Sequence, residues 1–352
     1  MLLSRYSRSA TLFFDVPLAL LPAKAEEIRA FWESKLAGAS LDFEDRQEPF
    51  AVTVAEFDDE NLSDGGDGPA SEVKQQGKIA IIPLRGVMAQ RMNMLSAMSG
   101  GTSTEAFGAA FSEQVANAEI KAIVIDIDSP GGSSYGVTEL ANLIMSARGR
   151  KPILAIANSV AASAAYWIGA AADRLYATPG ALVGSIGVYM LHVDFSKAVE
   201  NEGIKPTYIS AGEHKTRGNQ FEPLSDEDLA HFQAIVDDTY GMFVADVARG
   251  RAIPAGTVRN GYGKGDVLTA SQARKAGMVD GIKTLGEVIA EAGTARPRAL
   301  RAGASAELAA PDIEATPPPQ ADEEGEERLK RMRLNSFRAR AGLAAVGAAQ
   351  EV

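Results

Sequence analysis

The sequence predicts an α/β fold, in which a sheet is covered by helices on both faces. Two observations support this prediction. Several short segments, such as KAIVIDIDSPGG (121–132) and PILAIA (152–157), are almost continuously apolar, which is typical of strands buried on both faces. Segments with helical spacing of apolar residues separate these runs, and this alternation is typical of α/β domains.

The elements of the main domain begin at Lys78. KIAIIPLRG predicts a strand closed by Gly86, and a helix follows, with Thr104 as its expected N-cap. After the strand 121–132, a second helix places Val137, Leu140, Ile144 and Ala147 on one side.

The second half of the domain continues the alternation. PILAIA leads into a helix within 158–169, and RLYATP (174–179) and SIGVYM (185–190) are further predicted strands. Ser225 is expected to cap a long helix that ends near Gly250. A short helix from Thr269 to Gly277 and a last short strand follow.

Composition excludes several functional classes. The chain has 352 residues, a net charge of -11 and no cysteine, so disulfides and thiolate chemistry are excluded and non-specific nucleic-acid binding by the whole chain is disfavoured. The three histidines do not form a zinc motif, and we expect neither a metal ion nor a cofactor. No apolar run reaches the ~18 residues of a membrane span, and the run 11–22 contains Asp15 and Pro17, unlike a signal peptide. We expect a soluble intracellular protein.

Changes in composition predict five segments. Residues 1–53 form a lead-in with a helical pattern at 21–36, and 54–77 form an acidic, flexible linker. The main domain spans 78–292, and 293–327 is a linker rich in proline and acidic residues. Residues 328–352 are basic, which fits either a solvated helix or contact with a partner or nucleic acid.

Three features of the main domain carry possible chemistry. The turn Asp128–Gly132 has two glycines whose free N–H groups are able to hold an oxyanion, although an ordinary tight turn has the same pattern. Ser163 stands among alanines where a strand turns into a helix, which suits either a nucleophile or plain close packing. A serine also needs a base, for which His214 and Lys215 are candidates, unless Lys215 is simply solvated.

Five motifs in order resemble the S49 peptidase family of signal peptide peptidase A and its phage relatives. They are DSPGG, NSVAASAAYWIG, GALVGSIGV, GEHK and TASQARKAGMVDG, and the resemblance covers about 78–290. It implies a ClpP/crotonase-like fold of repeated ββα units that assembles into homo-oligomeric rings. It further implies the following roles: Ser163 as nucleophile, Lys215 as general base, Ser185 as the residue that orients the lysine, and Gly131 and Gly132 as the oxyanion hole. Ala164 stands where the family commonly has glycine.

The resemblance implies a serine endopeptidase with a Ser-Lys dyad. The long lead-in and the charged tail resemble tailed-phage prohead proteases, which implies polypeptide substrates such as capsid, scaffold or portal proteins, in the host cytoplasm or the prohead. The alternatives are a soluble bacterial signal-peptide or quality-control peptidase and a non-enzymatic crotonase-like assembly or scaffold module. The linkers 54–77 and 293–327 are candidate self-cleavage sites.

Overall fold

In a computed structural model, residues 17–22, 24, 52–57, 77–91 and 101–297 are described. They form a mixed α/β structure with parallel strands at its centre. Contacts divide the chain into a unit from Met1 to Leu300 and a unit from Arg301 to Val352, and every described residue belongs to the first.

The larger sheet of the described residues has eight strands. Three long ones lie in parallel at its centre, namely β3 (Gly77–Arg85), β6 (Ile120–Ser129) and β8 (Ile153–Ala162). β9 (Arg174–Ala177) and β10 (Leu182–Gly184) both add in parallel to β8, and β12 (Gly281–Ile282) adds in parallel to β9. The antiparallel edges are β2 (Thr53–Phe57) beside β3 and β11 (Val267–Thr269) beside β10.

A smaller sheet has the strand order β1-β7-β4-β5. Its strands are β1 (Leu18–Leu20), β4 (Met88–Ala89), β5 (Thr102–Ser103) and β7 (Gly131–Ser133). Because β7 follows β6 after a single residue, this small sheet lies at the carboxyl end of a central strand. That edge of a parallel sheet is the usual position of a functional site.

Eight α-helices lie wholly within the described residues. They are α1 (Thr104–Ala116), α2 (Val137–Ala147), α3 (Ala164–Ala170), α4 (Ser196–Asn201), α5 (Asp226–Arg251), α6 (Ala255–Gly261), α7 (Ala270–Lys275) and α8 (Leu285–Thr294). α8 packs on one face of the large sheet through Val288 and Ala292, while α1, α2, α3 and α5 build the larger core on the other face. Both faces are therefore covered, as the apolar strands predict.

Several predicted elements are confirmed, among them the caps of two helices. Ser225 accepts a hydrogen bond from Asp228 N (3.1 Å) at the start of α5, and Thr269 begins α7 with a capping box. Two predictions are wrong in detail. Ser103, not Thr104, caps α1, since its hydroxyl accepts from Ala106 N (3.2 Å). The predicted strand 185–190 forms only an isolated bridge at Tyr189, because β10 ends at Gly184.

The predicted domain division remains a prediction. Residues 54–57 of strand β2 are the first residues of the predicted acidic linker, while 58–76 lie outside the described residues. Most of the predicted helix 21–36 and the whole basic segment 328–352 also lie outside them. In the part of the chain that the structure describes, no helix has both the length and the apolar character needed to cross a membrane.

Candidate active site

Ser163 stands at the turn where β8 ends and α3 begins. Its backbone has φ 55° and ψ −121°, a conformation that residues with a side chain rarely adopt. The turn is held from both sides, because Ser163 N donates to Gly184 O (2.7 Å) and Ser163 O accepts from Trp167 N (3.0 Å). Such strain at a strand-to-helix turn is typical of a positioned nucleophile.

Two aromatic side chains of helix α3 anchor this helix to the core. The Tyr166 hydroxyl donates to Met278 O (3.0 Å), and burial raises the pKa of this phenol well above its usual value. The Trp167 ring stacks on Phe243 with centroids 4.4 Å apart, and its Nε1 donates to Asp246 (2.9 Å). These contacts fix the helix whose first turn carries Ser163.

The DSPGG turn lies against Ser163. Gly131 has φ +96°, and a Cβ there would stand 3.0 Å from the Cβ of Ser163. A Cβ on Gly132 would stand 1.9 Å from Met88 O, so neither position has room for a side chain. The amide of Gly131 donates to the Ser129 hydroxyl (3.2 Å), which in turn donates to Gly86 O (2.6 Å).

The segment that carries Ser185 also adjoins Ser163. Ser185 has φ 53°, is buried, and donates its backbone N–H to Asp266 O (2.8 Å). The Ser163 hydroxyl makes a long hydrogen bond of 3.5 Å to Gly187 O. Within the described residues, the Ser185 hydroxyl has no hydrogen-bond partner. The structure therefore brings together Ser163, Ser185 and both glycines.

Within the described residues, no hydrogen bond joins Lys215 to Ser163 or Ser185, and neither serine lines the cavity that Lys215 lines. Lys215 is exposed in a turn, where its backbone N donates to Gly212 O (3.1 Å), and within the described residues its ammonium makes no hydrogen bond or ion pair. It lines a cavity of about 910 Å³ together with Met190, Tyr208, Leu229 and Phe232. His214 is also exposed, and its Nδ1 lies 3.0 Å from Arg217 Nη2.

Strand β1 is the part of the site that sequence reasoning missed. It pairs antiparallel with β7, so that Ala19 is opposite Gly132 and Leu20 is opposite Gly131. The apolar run 11–22 was the available signal. This run is too short for a membrane span, and its side-chain pattern does not indicate which strand it pairs with.

Residues 146–297 match the model of Peptidase family S49. The resemblance to the S49 peptidases is confirmed. The matched S49 region contains Ser163, Ser185 and Lys215, whereas Gly131 and Gly132 precede it.

The proteins to which this chain is similar include two phage proteins. The chain is 29% identical over 302 residues to the head-tail preconnector protein GP5 of Enterobacteria phage P21, and 30% identical over 279 residues to the capsid assembly protease C of Escherichia phage lambda. These alignments cover 86% and 77% of this chain but only 60% and 62% of the relatives. The putative signal peptide peptidase SppA of Enterococcus faecium is 29% identical over 164 residues, 46% of this chain and 47% of that protein.

Proposed function

We propose that this chain is a serine endopeptidase in which Ser163 is the nucleophile. The observation that carries the proposal is the strained backbone of Ser163 beside the glycines of the DSPGG turn. This strain of ~1–3 kcal/mol is maintained by the hydrogen bonds to Gly184 and Trp167. Backbone strain of this kind is concentrated at functional sites, which supports a reactive role for Ser163. The match to the S49 model supports the same chemistry.

Gly132 is the better of the two candidate oxyanion donors. The Gly131 amide already donates to Ser129, so it is not free to bind a developing charge. The Gly132 amide belongs to β7 and is directed at the strand that pairs with this edge, which is β1 in this structure. One such donor typically contributes a factor of ~10²–10³ in rate.

Lys215 is the proposed general base, and in the single chain no hydrogen bond joins it to Ser163 within the described residues. A lysine accepts a proton only in its uncharged form, which burial favours, whereas Lys215 is exposed. The dyad therefore requires a further step, in which either the segment from Val188 to Leu224 closes over Ser163 or a second copy of the chain supplies the lysine. A homo-oligomeric ring of the ClpP/crotonase-like type would provide such a neighbour.

The reaction then proceeds in two halves. Ser163 Oγ attacks the scissile carbonyl carbon while Lys215 Nζ takes its proton, and the Gly132 amide holds the oxyanion. The C–N bond breaks, and Lys215 returns the proton to the leaving amine. Water, activated in the same way, hydrolyses the acyl-enzyme and frees Ser163. In this proposal, Ser185 orients the lysine amine once Lys215 reaches the site.

The proposed substrates are phage capsid, scaffold or portal proteins. The names of the P21 and lambda relatives support this assignment, which places the enzyme in the host cytoplasm or the prohead. A signal-peptide or quality-control role is the second candidate, supported by the SppA relative. The basic segment 328–352 fits either a solvated helix or contact with a partner or nucleic acid, and it has no part in the proposed reaction.

The dyad is tested by cleavage of casein and of co-expressed capsid and scaffold candidates. Wild type should cleave, Ser163→Ala and Lys215→Ala should lose at least ~10³-fold in rate, and Lys205→Ala, an exposed lysine of the same segment, should keep full activity. If Lys215→Ala cleaves well, the base is wrong and His214→Ala is tested next. Complete inactivity of the wild type on all substrates would favour the assembly-module alternative.

Mixing the two inactive variants tells where the base comes from. If the dyad forms between copies, Ser163→Ala and Lys215→Ala together regain activity, since intact pairs form at some interfaces. If it forms within one chain, the mixture stays inactive although each variant assembles normally.

A further inference from the structure

Strand β1 lies in the groove beside Ser163 as an inserted third strand. One edge pairs antiparallel with β7, in the register Leu18 to Ser133, Ala19 to Gly132 and Leu20 to Gly131. The other edge meets Tyr189, because Leu18 N donates to Tyr189 O (2.8 Å) and Tyr189 N donates to Leu18 O (3.1 Å). An extended peptide that adds to a sheet edge makes the same type of main-chain hydrogen bonds.

The alternation of these bonds identifies the carbonyl that faces the proposed oxyanion donor. Pro17 O accepts from Ser134 N (3.2 Å), and Leu18 uses its N–H and C=O on Tyr189. In an antiparallel pair, bonded and non-bonded positions alternate, so Ala19 is the residue that exchanges hydrogen bonds with Gly132. The Ala19 carbonyl therefore points to the Gly132 amide.

The same carbonyl is a neighbour of Ser163. The point where a Gly131 Cβ would stand lies 2.2 Å from Ala19 O and 3.0 Å from Ser163 Cβ. The three side chains of β1 are buried, with Leu18 and Leu20 each 2% exposed and Ala19 fully covered. The groove thus encloses an extended segment in which a small residue lies between two aliphatic ones.

We propose that residues 17–21 are the chain's own occupant of the substrate groove, with the Ala19–Leu20 peptide bond presented to Ser163. The inference rests on the proposed peptidase function. While β1 is in place, no other polypeptide is able to pair with β7, so β1 must leave or be cut before a substrate enters. The substrate class is an extended segment with a small residue at the Ala19 position and an aliphatic residue on each side.

Cleavage of this bond follows the same balanced steps as for an external substrate. Ser163 Oγ forms an ester with the Ala19 carbonyl carbon, the bond to Leu20 N breaks, and the base transfers the serine proton to that nitrogen. Water then hydrolyses the ester, which leaves Ala19 as a carboxylate and restores the Ser163 hydroxyl. The cut requires Lys215 as the base, and in the single chain this residue is exposed and makes no hydrogen bond to Ser163 within the described residues.

A disulfide that locks β1 in place tests its occupancy without catalysis. Leu18 and Ser133 form a non-hydrogen-bonded pair, whose Cα separation of ~4.5 Å permits a disulfide. The chain contains no cysteine, so Leu18→Cys with Ser133→Cys introduces a single pair. Both are made in Ser163→Ala, and the probe is a fluorescent peptide with the sequence of residues 17–24, measured by anisotropy.

We expect the reduced protein to bind the peptide and the oxidised protein to bind it at least tenfold more weakly. Equal affinity in both states, or no binding in either, would overturn the inference. The single-cysteine variants are the controls for oxidation. Leu20→Asp is an independent variant, because a buried charge expels β1 and should raise peptide affinity even if the disulfide variant folds poorly.

Amino-terminal sequencing of the incubated protein tests the presented bond. We expect a new terminus at Leu20 in wild type and none in Ser163→Ala. A wild type that cleaves casein but never yields this terminus contradicts the register. If wild type cleaves nothing and the locked variant still excludes the peptide, the proposed peptidase function fails while the occupancy stands.

Discussion

Arg148 joins the ends of two helices below the active site. Its guanidinium donates to Ala171 O (2.8 Å), Ala170 O (3.2 Å) and Gly250 O (3.0 Å), and also to Ala172 O. These carbonyls lie at the C-terminal end of α3, where helix carbonyls lack intrahelical partners, and near the end of α5. The Arg148 side chain is only 13% exposed, so little water is able to replace its hydrogen bonds to these carbonyls.

We expect Arg148→Met to lower the free energy of unfolding by about 4 kcal/mol. Hydrogen bonds to a charged donor contribute ~1.5–3 kcal/mol each, and breaking a buried charged network costs ~3–5 kcal/mol rather than the full sum. For a domain of this size, that loss lowers Tm by about 10 °C. Differential scanning fluorimetry and urea unfolding measure both quantities, without any assumption about activity.

Arg150→Met is the matched control, because Arg150 is exposed and two residues away. This variant should stay within ~0.5 kcal/mol of wild type. A loss below about 1 kcal/mol in Arg148→Met would refute the reasoning, since the carbonyls would then be satisfied without the guanidinium.

Three further predictions concern strain and buried charge. Ser163→Gly should raise the free energy of unfolding by ~1 kcal/mol in urea titrations, because glycine adopts φ 55° without strain, and Ser163→Ala should give no such gain. Burial raises the pKa of the Asp246 carboxyl above 3.8, so the folded state binds the carboxyl proton more tightly than the unfolded state. The free energy of unfolding therefore falls as the pH rises through the pKa of the folded state. Asp246→Asn should abolish this pH dependence and, because the amide oxygen still accepts from Trp167, remain as stable as wild type at pH 7. Burial alone would raise the pKa of the Asp280 carboxyl, but the hydrogen bond and charge of Arg251 lower it below 3.8. The free energy of unfolding therefore falls as the pH drops below 3.8. Urea unfolding of Arg251→Met at several pH values should not show this loss of stability at acidic pH.

The central strands and most helices could be predicted from the sequence, because their information is local. Apolar runs such as 153–157 become buried parallel strands, and the caps Ser225 and Thr269 bond to amides within their own helices. Ser163 could likewise be singled out, since one hydroxyl among alanines at a strand-to-helix boundary is visible in the chain itself.

The sequence by itself determined the α/β class, the nucleophile candidate and the glycine turn, since each depends on neighbours along the chain. Only the tertiary structure decided that Lys215 is exposed and makes no hydrogen bond to Ser163 within the described residues, that the Gly131 amide donates to Ser129, and that residues 18–20 pair with Gly131–Ser133. The pairing of β1 with β7 joins segments more than 100 residues apart, and edge-to-edge hydrogen bonds use the backbone, which is the same in every residue but proline. For that reason no side-chain pattern indicated which segment would occupy the groove.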